Sequence, residues 1–496
     1  MRNAEQARGF TAAWIRMARS PAQAIATSIL GALLAGCVAG PDFKRPEGPG
    51  IDRYTAAPMP LQTSSNPMAL GRAQRFDTGA GVSAQWWRAL GSERLDAWIE
   101  QAFLTSPTLA SARATLRQAQ ETASAQAASI RYPRIDANVT AQRERLNPNM
   151  LGQPGDPREF NLYNAGIGGH YRFDLAGGNR RALEALAARA DFRRHELDGA
   201  RLALAANITA AAITRARLDS QIEATQAMAL AQDEQVNLTR ERLRLGNASP
   251  DDVLAIEVQV GQTRAALSSL HKQLEQSEHL LAVLAGQAPG AAKVPEFTLE
   301  EFALPADLPV VLPSELVRRR PDIQAAEALL HAANAEYGVA VASLYPQLDL
   351  SASLGSQTLT TGSLFGAGSS VWNLMAQLTQ PLLDPGLPAR KRASLAALDA
   401  AAANYQGIVL DALRDVADVL RALDHDAQAL TSLAAADAAV HASSVSMEHQ
   451  YTLGTASYVQ LLMARQQLQQ SRIGLVSAQA QRLSDSAALY QAMGGG

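Results

Sequence analysis

Long stretches of the chain follow the spacing of a helix. Residues 176–245 and 389–453 lack proline and are rich in alanine and other residues that favour helix. Two seams with alternating steps of three and four residues predict helices packed as in left-handed coiled coils. The first seam is Val253, Ile256, Val260, Thr263, Leu267, Leu270, Leu274, Ser277, Leu281 and Leu284, and the second is Leu413, Val416, Leu420, Leu423, Ala427 and Leu430.

The sequence Leu-Gly-X-Ala-Ser occurs twice, each time between two helical patterns. Gly246 and Gly454 suit a helix end that requires a positive φ, and Ser249 and Ser457 suit the N-cap of the next helix. Pro250 falls at the first helical position, where proline is tolerated. The pattern therefore predicts two tight turns between antiparallel helices.

Four other segments alternate apolar and polar residues with the period of a strand. Each has about ten residues, which is the length of a tilted membrane-spanning strand. An apolar face and a polar face suit a wall between lipid and water. A small soluble sheet packed on helices would also alternate, and it remains the alternative at this point. The segments are 135–142, 163–173, 347–354 and 372–379, with hairpin loops expected at 147–157 and 360–368.

The chain contains two copies of one unit. The stretch from Ser106 is similar to the stretch from Arg320, since each has an alanine-rich helical part, Tyr-Pro and an alternating segment. Each copy is predicted to run helix, helix, strand, strand, long helix, long helix, with a proline-rich linker between the copies. The predicted domains are a signal peptide at 1–36, an N-terminal linker at 37–85, repeats at 86–288 and 314–496, and the inter-repeat linker at 289–313.

The only cysteine, Cys37, follows a short apolar run, which is itself preceded by an arginine-rich N-terminal stretch. A single cysteine excludes a disulfide within the chain, and the flanks are typical of a secretory signal. With Leu-Ala-Gly before it, Cys37 resembles the cysteine of a bacterial lipobox, which implies cleavage before it and lipidation. The residue after Cys37 is Val38 and not an aspartate, which in bacterial lipoproteins signals retention in the inner membrane. By this rule the resemblance implies the outer membrane. An ordinary secretory signal with a buried cysteine is the alternative, and translation could start at Met17.

Charge and hydropathy exclude some classes of function and of membrane-spanning element. The formal net charge is -3 and 18% of residues are charged, so no basic excess indicates nucleic-acid binding. No apolar run after Cys37 reaches the about 18 residues of a membrane helix, so any spanning element must be a strand. Four strands cannot close a membrane barrel, which needs about eight. If they span the membrane, the barrel must be shared between subunits.

No catalytic constellation is found. The eight histidines are scattered, and no zinc-protease helix motif, phosphate-binding loop or nucleophile elbow occurs. We therefore expect no enzyme activity, no cofactor and no metal site.

The whole pattern resembles a known family. The GPDFKRP stretch behind Cys37, the sequence QWWRALGSERLDAWIEQAF and the duplicated unit are similar to TolC-like outer-membrane efflux proteins, and more narrowly to the NodT-type lipoproteins of resistance–nodulation–division (RND) systems. The resemblance implies a mixed, mainly α fold in a homotrimer, with long coiled-coil helices forming a periplasmic α-barrel. Each protomer would give four antiparallel strands to one twelve-stranded transmembrane β-barrel.

The same resemblance implies the function and the partners. The protein would be a lipid-anchored, passive exit duct in the outer membrane that exports drugs or other small hydrophobic compounds. A periplasmic adaptor would dock on it, and an inner-membrane RND pump would supply the energy.

The resemblance also implies the site residues. The adaptor-docking tips would be Arg242, Leu245, Gly246 and Ser249 in the first hairpin and Leu453, Gly454, Thr455 and Ser457 in the second. Alternatively, their glycines and serines only form turns.

The periplasmic gate candidates are Val459, Met463 and Gln466. Relatives often carry an acidic residue where this chain has Met463. We therefore expect an apolar constriction that is less cation-selective than a carboxylate ring.

Three other functions stay open at the level of sequence: a lipid-anchored periplasmic coiled-coil scaffold without a pore, a type I secretion-like channel for a dedicated product, and a lipoprotein enzyme with a cryptic site. The polar strand faces favour a channel over the scaffold.

Overall fold

The computed structural model describes residues 38–148, 152 and 154–495. The predicted signal peptide and Cys37 lie outside the described residues. Cleavage and lipidation therefore stay predictions.

The order of the elements repeats, as predicted. A short strand, β1 (Arg75–Asp77), precedes the first copy. The first copy has α1 (Glu93–Thr105), α2 (Pro107–Arg131), β2 (Arg134–Leu146), β3 (Arg158–Phe173), α3 (Gly178–Arg244) and α4 (Pro250–Leu284). After β4 (Asp307–Pro309), the second has α5 (Pro313–Arg319), α6 (Pro321–Ala342), β5 (Gln347–Thr358), β6 (Ser370–Thr379), α7 (Gly386–Thr452) and α8 (Tyr458–Ala492).

The four long strands form one antiparallel sheet in the order β2-β3-β5-β6. The two copies therefore join at the β3–β5 pair, where Gly166 faces Gly355. A Cβ atom at Gly355 would lie only 2.6 Å from the carbonyl oxygen of Ala165, so the strands approach too closely for a side chain. A Cβ atom at Gly166 would likewise lie 2.9 Å from the carbonyl oxygen of Leu354, whereas Gly168 and Gly169 have ordinary contact distances.

One face of the sheet leaves its large apolar side chains exposed. Trp372 is 76% exposed, and every residue of β2 and β6 is exposed. The alternative of a sheet packed on helices would bury this face, and among the described residues it is wrong. The most exposed apolar side chains of this face are Ile135, Val139, Ile167, Leu354, Trp372, Leu374 and Leu378.

No helix in the described part of the chain has an apolar stretch long enough to cross a membrane.

The two predicted seams are buried over most of their length. In α4, Ile256 and Leu281 are fully buried, whereas Leu267, Leu270 and Leu274 are half-buried. In α7, the seam is buried from Val416 to Leu430. Periodicity therefore identified the faces on which the helices pack.

Arg482 of α8 holds the stretch before β1, a contact that the sequence did not indicate. Its side chain is buried, and its guanidinium donates to the carbonyl of Leu70 at 2.9 Å and to the side chains of Thr63 and Gln74 at 3.1 Å. β1 pairs in parallel with β4 of the inter-repeat linker. The N-terminal stretch is thus tied to both the linker and the last helix.

Asp485 lies one turn after Arg482 and is also buried. Burial and the neighbouring carboxylate of Asp426 together raise the pKa of its carboxyl to about 8, against the effects of Gln481 and Arg482. Asp485 is therefore mainly protonated in the folded protein at neutral pH.

This proton makes stability depend on pH. Between about pH 4 and pH 8, the folded state keeps a proton at Asp485 that the unfolded chain has lost. The free energy of unfolding should therefore fall as pH rises through this window, and Asp485→Asn should flatten the fall. Thermal unfolding in detergent at pH 5, 7 and 9 would measure it. The matched control Asp399→Asn, at an exposed position of α7, should keep the parent profile, and an unchanged slope in Asp485→Asn would contradict the assignment.

Candidate functional site

The turn between α3 and α4 is built as predicted. Gly246 has a φ of +77°. Asn247 donates its N–H to the carbonyl of Arg242 at 2.8 Å and Gly246 to that of Leu243 at 3.0 Å, so two carbonyls at the helix end gain partners. Ser249 caps α4, since its side chain accepts from the N–H of Asp252 at 3.1 Å. The carboxylate of Asp252 accepts in return from the N–H of Ser249 at 2.8 Å.

The turn between α7 and α8 repeats this construction with one chemical difference. Gly454 has a φ of +72°, and Ser457 caps α8. Here Gln460, not an aspartate, accepts from the N–H of Ser457 at 2.7 Å. In the first hairpin, hydrogen bonds from the backbone and side chain of Ser249 hold the pKa of Asp252 below its usual range. Only the first turn therefore carries a negative charge at its cap.

All eight predicted tip residues are exposed. The side chains of Leu245 and Leu453 are notable because they are apolar and are 63% and 65% exposed. Neither leucine is needed for the turn geometry that the glycines and serines supply. These two side chains are therefore available to a partner, and their role in docking stays a prediction.

The two hairpins meet through an arginine and two tyrosines. Arg242 of α3 donates to the hydroxyl of Tyr451 in α7, and its guanidinium lies 5.1 Å from the centroid of that ring. The rings of Tyr451 and Tyr458 are 5.5 Å apart. Sequence reasoning placed Arg242 at the tip but missed both tyrosines, although each lies within three residues of a turn residue that the prediction used.

An apolar cluster beside these rings fixes α8 against the first hairpin. It consists of Val236, Ile256, Val260 and Leu462, with Tyr458 packed against it. Burial raises the pKa of Tyr458 to about 12. A salt bridge of 2.6 Å between Arg465 and Glu448 joins α8 to α7. The tip region is therefore held by packing and by charge.

The gate candidates Val459, Met463 and Gln466 lie together on one exposed face of α8. Met463 is 64% exposed, while Leu461 and Leu462 are buried on the other side of the helix. The described part of the chain contains no group of three or more histidine, cysteine or acidic residues that could hold a metal ion. The exposed face is thus apolar at Met463, and its role as a gate stays a prediction.

The duplicated helical hairpins and the four-stranded sheet with exposed apolar side chains define an outer-membrane channel. The chain belongs to the outer membrane efflux protein family, because the family model described as "Outer membrane efflux protein" matches residues 98–287 and 312–495. The resemblance found in the sequence is confirmed at this level. The narrower assignment to lipoproteins of the NodT type stays a prediction.

Individual relatives agree with this assignment. The chain is 28% identical over 482 residues to the toluene efflux pump outer membrane protein TtgC of Pseudomonas putida, covering 95% of each protein. It is 30% identical over 440 residues to the pyoverdine export outer membrane protein OpmQ of Pseudomonas aeruginosa, covering 86% of this chain and 90% of OpmQ. The solved structure of the outer-membrane channel OprN matches with a TM-score of 0.83 at 27% identity, covering 93% of this chain and 99% of OprN.

The protein is therefore an outer-membrane component of an efflux system. Its relatives are named as channel or transport proteins and not as enzymes.

Proposed function

We propose that this protein is the passive exit duct of a tripartite efflux pump, built as a homotrimer and anchored to the outer membrane by lipid on Cys37. A periplasmic adaptor docks on its hairpin tips, and an inner-membrane RND pump drives the export of drugs or other small hydrophobic compounds. The observation that carries the proposal is the sheet, which in the described part of the chain has two unpaired edges and an exposed apolar face.

The unpaired edges require further copies of the chain. Among the described residues, β2 and β6 each pair with a strand on one side only. Lipid offers no hydrogen bonds to the backbone, so an open edge is not tolerated there. Since a membrane barrel needs about eight strands or more, several copies must contribute. Three copies give twelve strands, and that number is taken from the family.

The polar face of the sheet supports a water-lined interior. Arg172 of β3 and Asp349 of β5 form a salt bridge of 2.8 Å across the junction of the two copies. Arg134 and Asp136 of β2 form another on the same face, of 2.9 Å. Exposed ion pairs on one face and exposed apolar side chains on the other suit water inside and lipid outside. A periplasmic scaffold has no need of such a sheet.

The names of the relatives support the cargo. TtgC is named for toluene efflux, which favours small hydrophobic compounds. OpmQ is named for pyoverdine export, so a channel for one dedicated product is the second candidate. Drug and solvent susceptibility of a deletion strain, measured beside its secreted metabolites, would separate these two cargo classes.

The native mass of the mature protein tests the proposal. We expect a trimer carrying acyl mass when the protein is extracted in mild detergent from isolated outer membranes. Cys37→Ser should lower the yield in the outer membrane, while the trimers that assemble still conduct. A monomer or a dimer would contradict the shared barrel, since neither encloses a pore with twelve strands, and would favour the scaffold.

A further inference from the structure

The first described residues of the chain lie in a slot between the start of α3 and the second half of α6. The N–H of Ala39 donates to the carbonyl of Ala176 at 2.9 Å, just before α3 begins. Ala39 is buried, and Val38 lies against Gly177, where an added Cβ atom would be 3.0 Å from the Cα atom of Val38. The segment Val38–Phe43, here called the N-terminal segment, is thus packed from its first described residue.

Side chains of the slot bind three consecutive backbone carbonyls of the segment. Arg181 of α3, whose side chain is only 4% exposed, donates to the carbonyls of Ala39 at 3.2 Å and Gly40 at 3.3 Å. The carbonyl of Pro41 accepts from the amide of Asn334 in α6 at 3.1 Å. Because these hydrogen bonds go to the backbone, they fix the conformation of the segment as well as its position.

The slot also fits the segment in shape. Gly40 has a φ of +83°, and a Cβ atom there would lie 2.7 Å from the Cα atom of Gly338. A Cβ atom at Gly338 would lie 2.9 Å from the Cγ atom of Arg181. The ring of Phe43 stacks on His331, with centroids 4.3 Å apart and 15° between the planes. The segment is therefore closely packed at Gly40 and held at Phe43 by a ring stack.

A charged network supports the slot. Arg181 forms salt bridges of 2.7 Å with both Asp42 of the segment and Glu184 of α3, and His331 lies 2.9 Å from Glu184. Burial acts to raise the pKa of Glu184, but its hydrogen bonds with His331 and Arg181 outweigh this and lower the pKa. Glu184 is therefore ionised at neutral pH, and it orients Arg181 and His331, two of the residues that touch the segment.

From these contacts we infer that the slot is a binding site for the mature chain's own N-terminal segment, and that the segment fastens the two repeats together there. Arg181 belongs to the first predicted repeat, and His331, Asn334 and Gly338 belong to the second, so the slot is complete only when both have folded. The inference rests on the proposed lipid anchor at Cys37 and adds how that anchor is connected to the fold. Cys37 is joined to Val38 by one peptide bond, so a seated segment leaves no free tether between the anchor and the fold.

Thiol labelling of the full-length protein tests this site. The natural sequence has one cysteine, so Ala39→Cys adds a single reporter inside the slot. In outer membranes solubilised in mild detergent, a maleimide should label this reporter slowly. Gly338→Val should speed the labelling about tenfold or more, because the added bulk overpacks the contact with Gly40. Asn334→Ala, which adds no bulk, should speed it about fivefold by removing one hydrogen bond.

The matched control is Gly407→Val in α7, since a Cβ atom at Gly407 meets nothing within 4 Å. It should leave the labelling slow. Rapid labelling of Ala39→Cys in the parent, or equal rates with and without Gly338→Val and Asn334→Ala, would overturn the inference. Labelling of the parent without the reporter would instead show a free thiol at Cys37. That result would contradict the lipid anchor and leave the slot intact.

Discussion

Replacing Leu245 and Leu453 together by aspartate should abolish efflux while the channel still reaches the outer membrane. Both side chains are exposed at the tips of the hairpins, and the turns are formed by other residues. At a docking surface, each new carboxylate would lose its hydration without gaining a partner, which typically disrupts an interface. We expect drug susceptibility to approach that of a deletion strain, with a fall in the inhibitory concentration of about tenfold or more.

The control for this experiment is Leu104→Asp. Leu104 is 82% exposed at the end of α1, outside both hairpins, so the change has the same chemistry at a different place. Efflux should persist in the control, and cross-linking to the adaptor should be lost only in the double variant. Normal export by the double variant would mean that the tips only form turns.

Met463→Asp should convert the channel into a cation-selective one. Met463 is exposed and uncharged on the face of α8 that carries the gate candidates. In a trimer, the substitution would place three carboxylates around one constriction, and a ring of one charge concentrates counterions. We expect the ratio of cation to anion permeability to rise about tenfold. Reversal potentials across a planar bilayer with a salt gradient would measure it.

Met463→Ala is the matched variant without a charge. It should keep the weak selectivity of the parent and should raise conductance if the methionine side chains narrow the pore. The assignment fails if the parent is already strongly cation-selective and Met463→Ala leaves this unchanged.

The parts of the structure that the sequence predicted are those with local causes. Gly246 and Ser249 identify their turn because the positive φ and the N-cap hydrogen bond each depend only on residues a few positions away. The strand faces follow from a period of two, and the helix seams from steps of three and four. The long helices begin and end within a few residues of the predicted bounds for the same reason.

The parts that were missed join residues far apart in the sequence. Nothing in the pattern indicates that Gly166 faces Gly355, since the period of a strand does not name its neighbour. Arg242 was placed at a tip by resemblance, but its contact with Tyr451 depends on how two hairpins pack. The polar contacts of Arg482 and Arg181 could not be predicted from hydrophobic periodicity, because each is a single charged residue within a long helix.

The hydrogen bond from Arg482 to Thr63 joins residues 419 positions apart in the sequence, and this separation affects how the protein folds after export. The chain is exported from its N-terminus, so the stretch around Thr63 enters the periplasm before α8 does. During this interval it has no native partner, and a chain in that state is prone to aggregation. Chaperone protection in the periplasm must therefore last until the final helix arrives, and truncations that remove α8 should be cleaved in the stretch around Thr63.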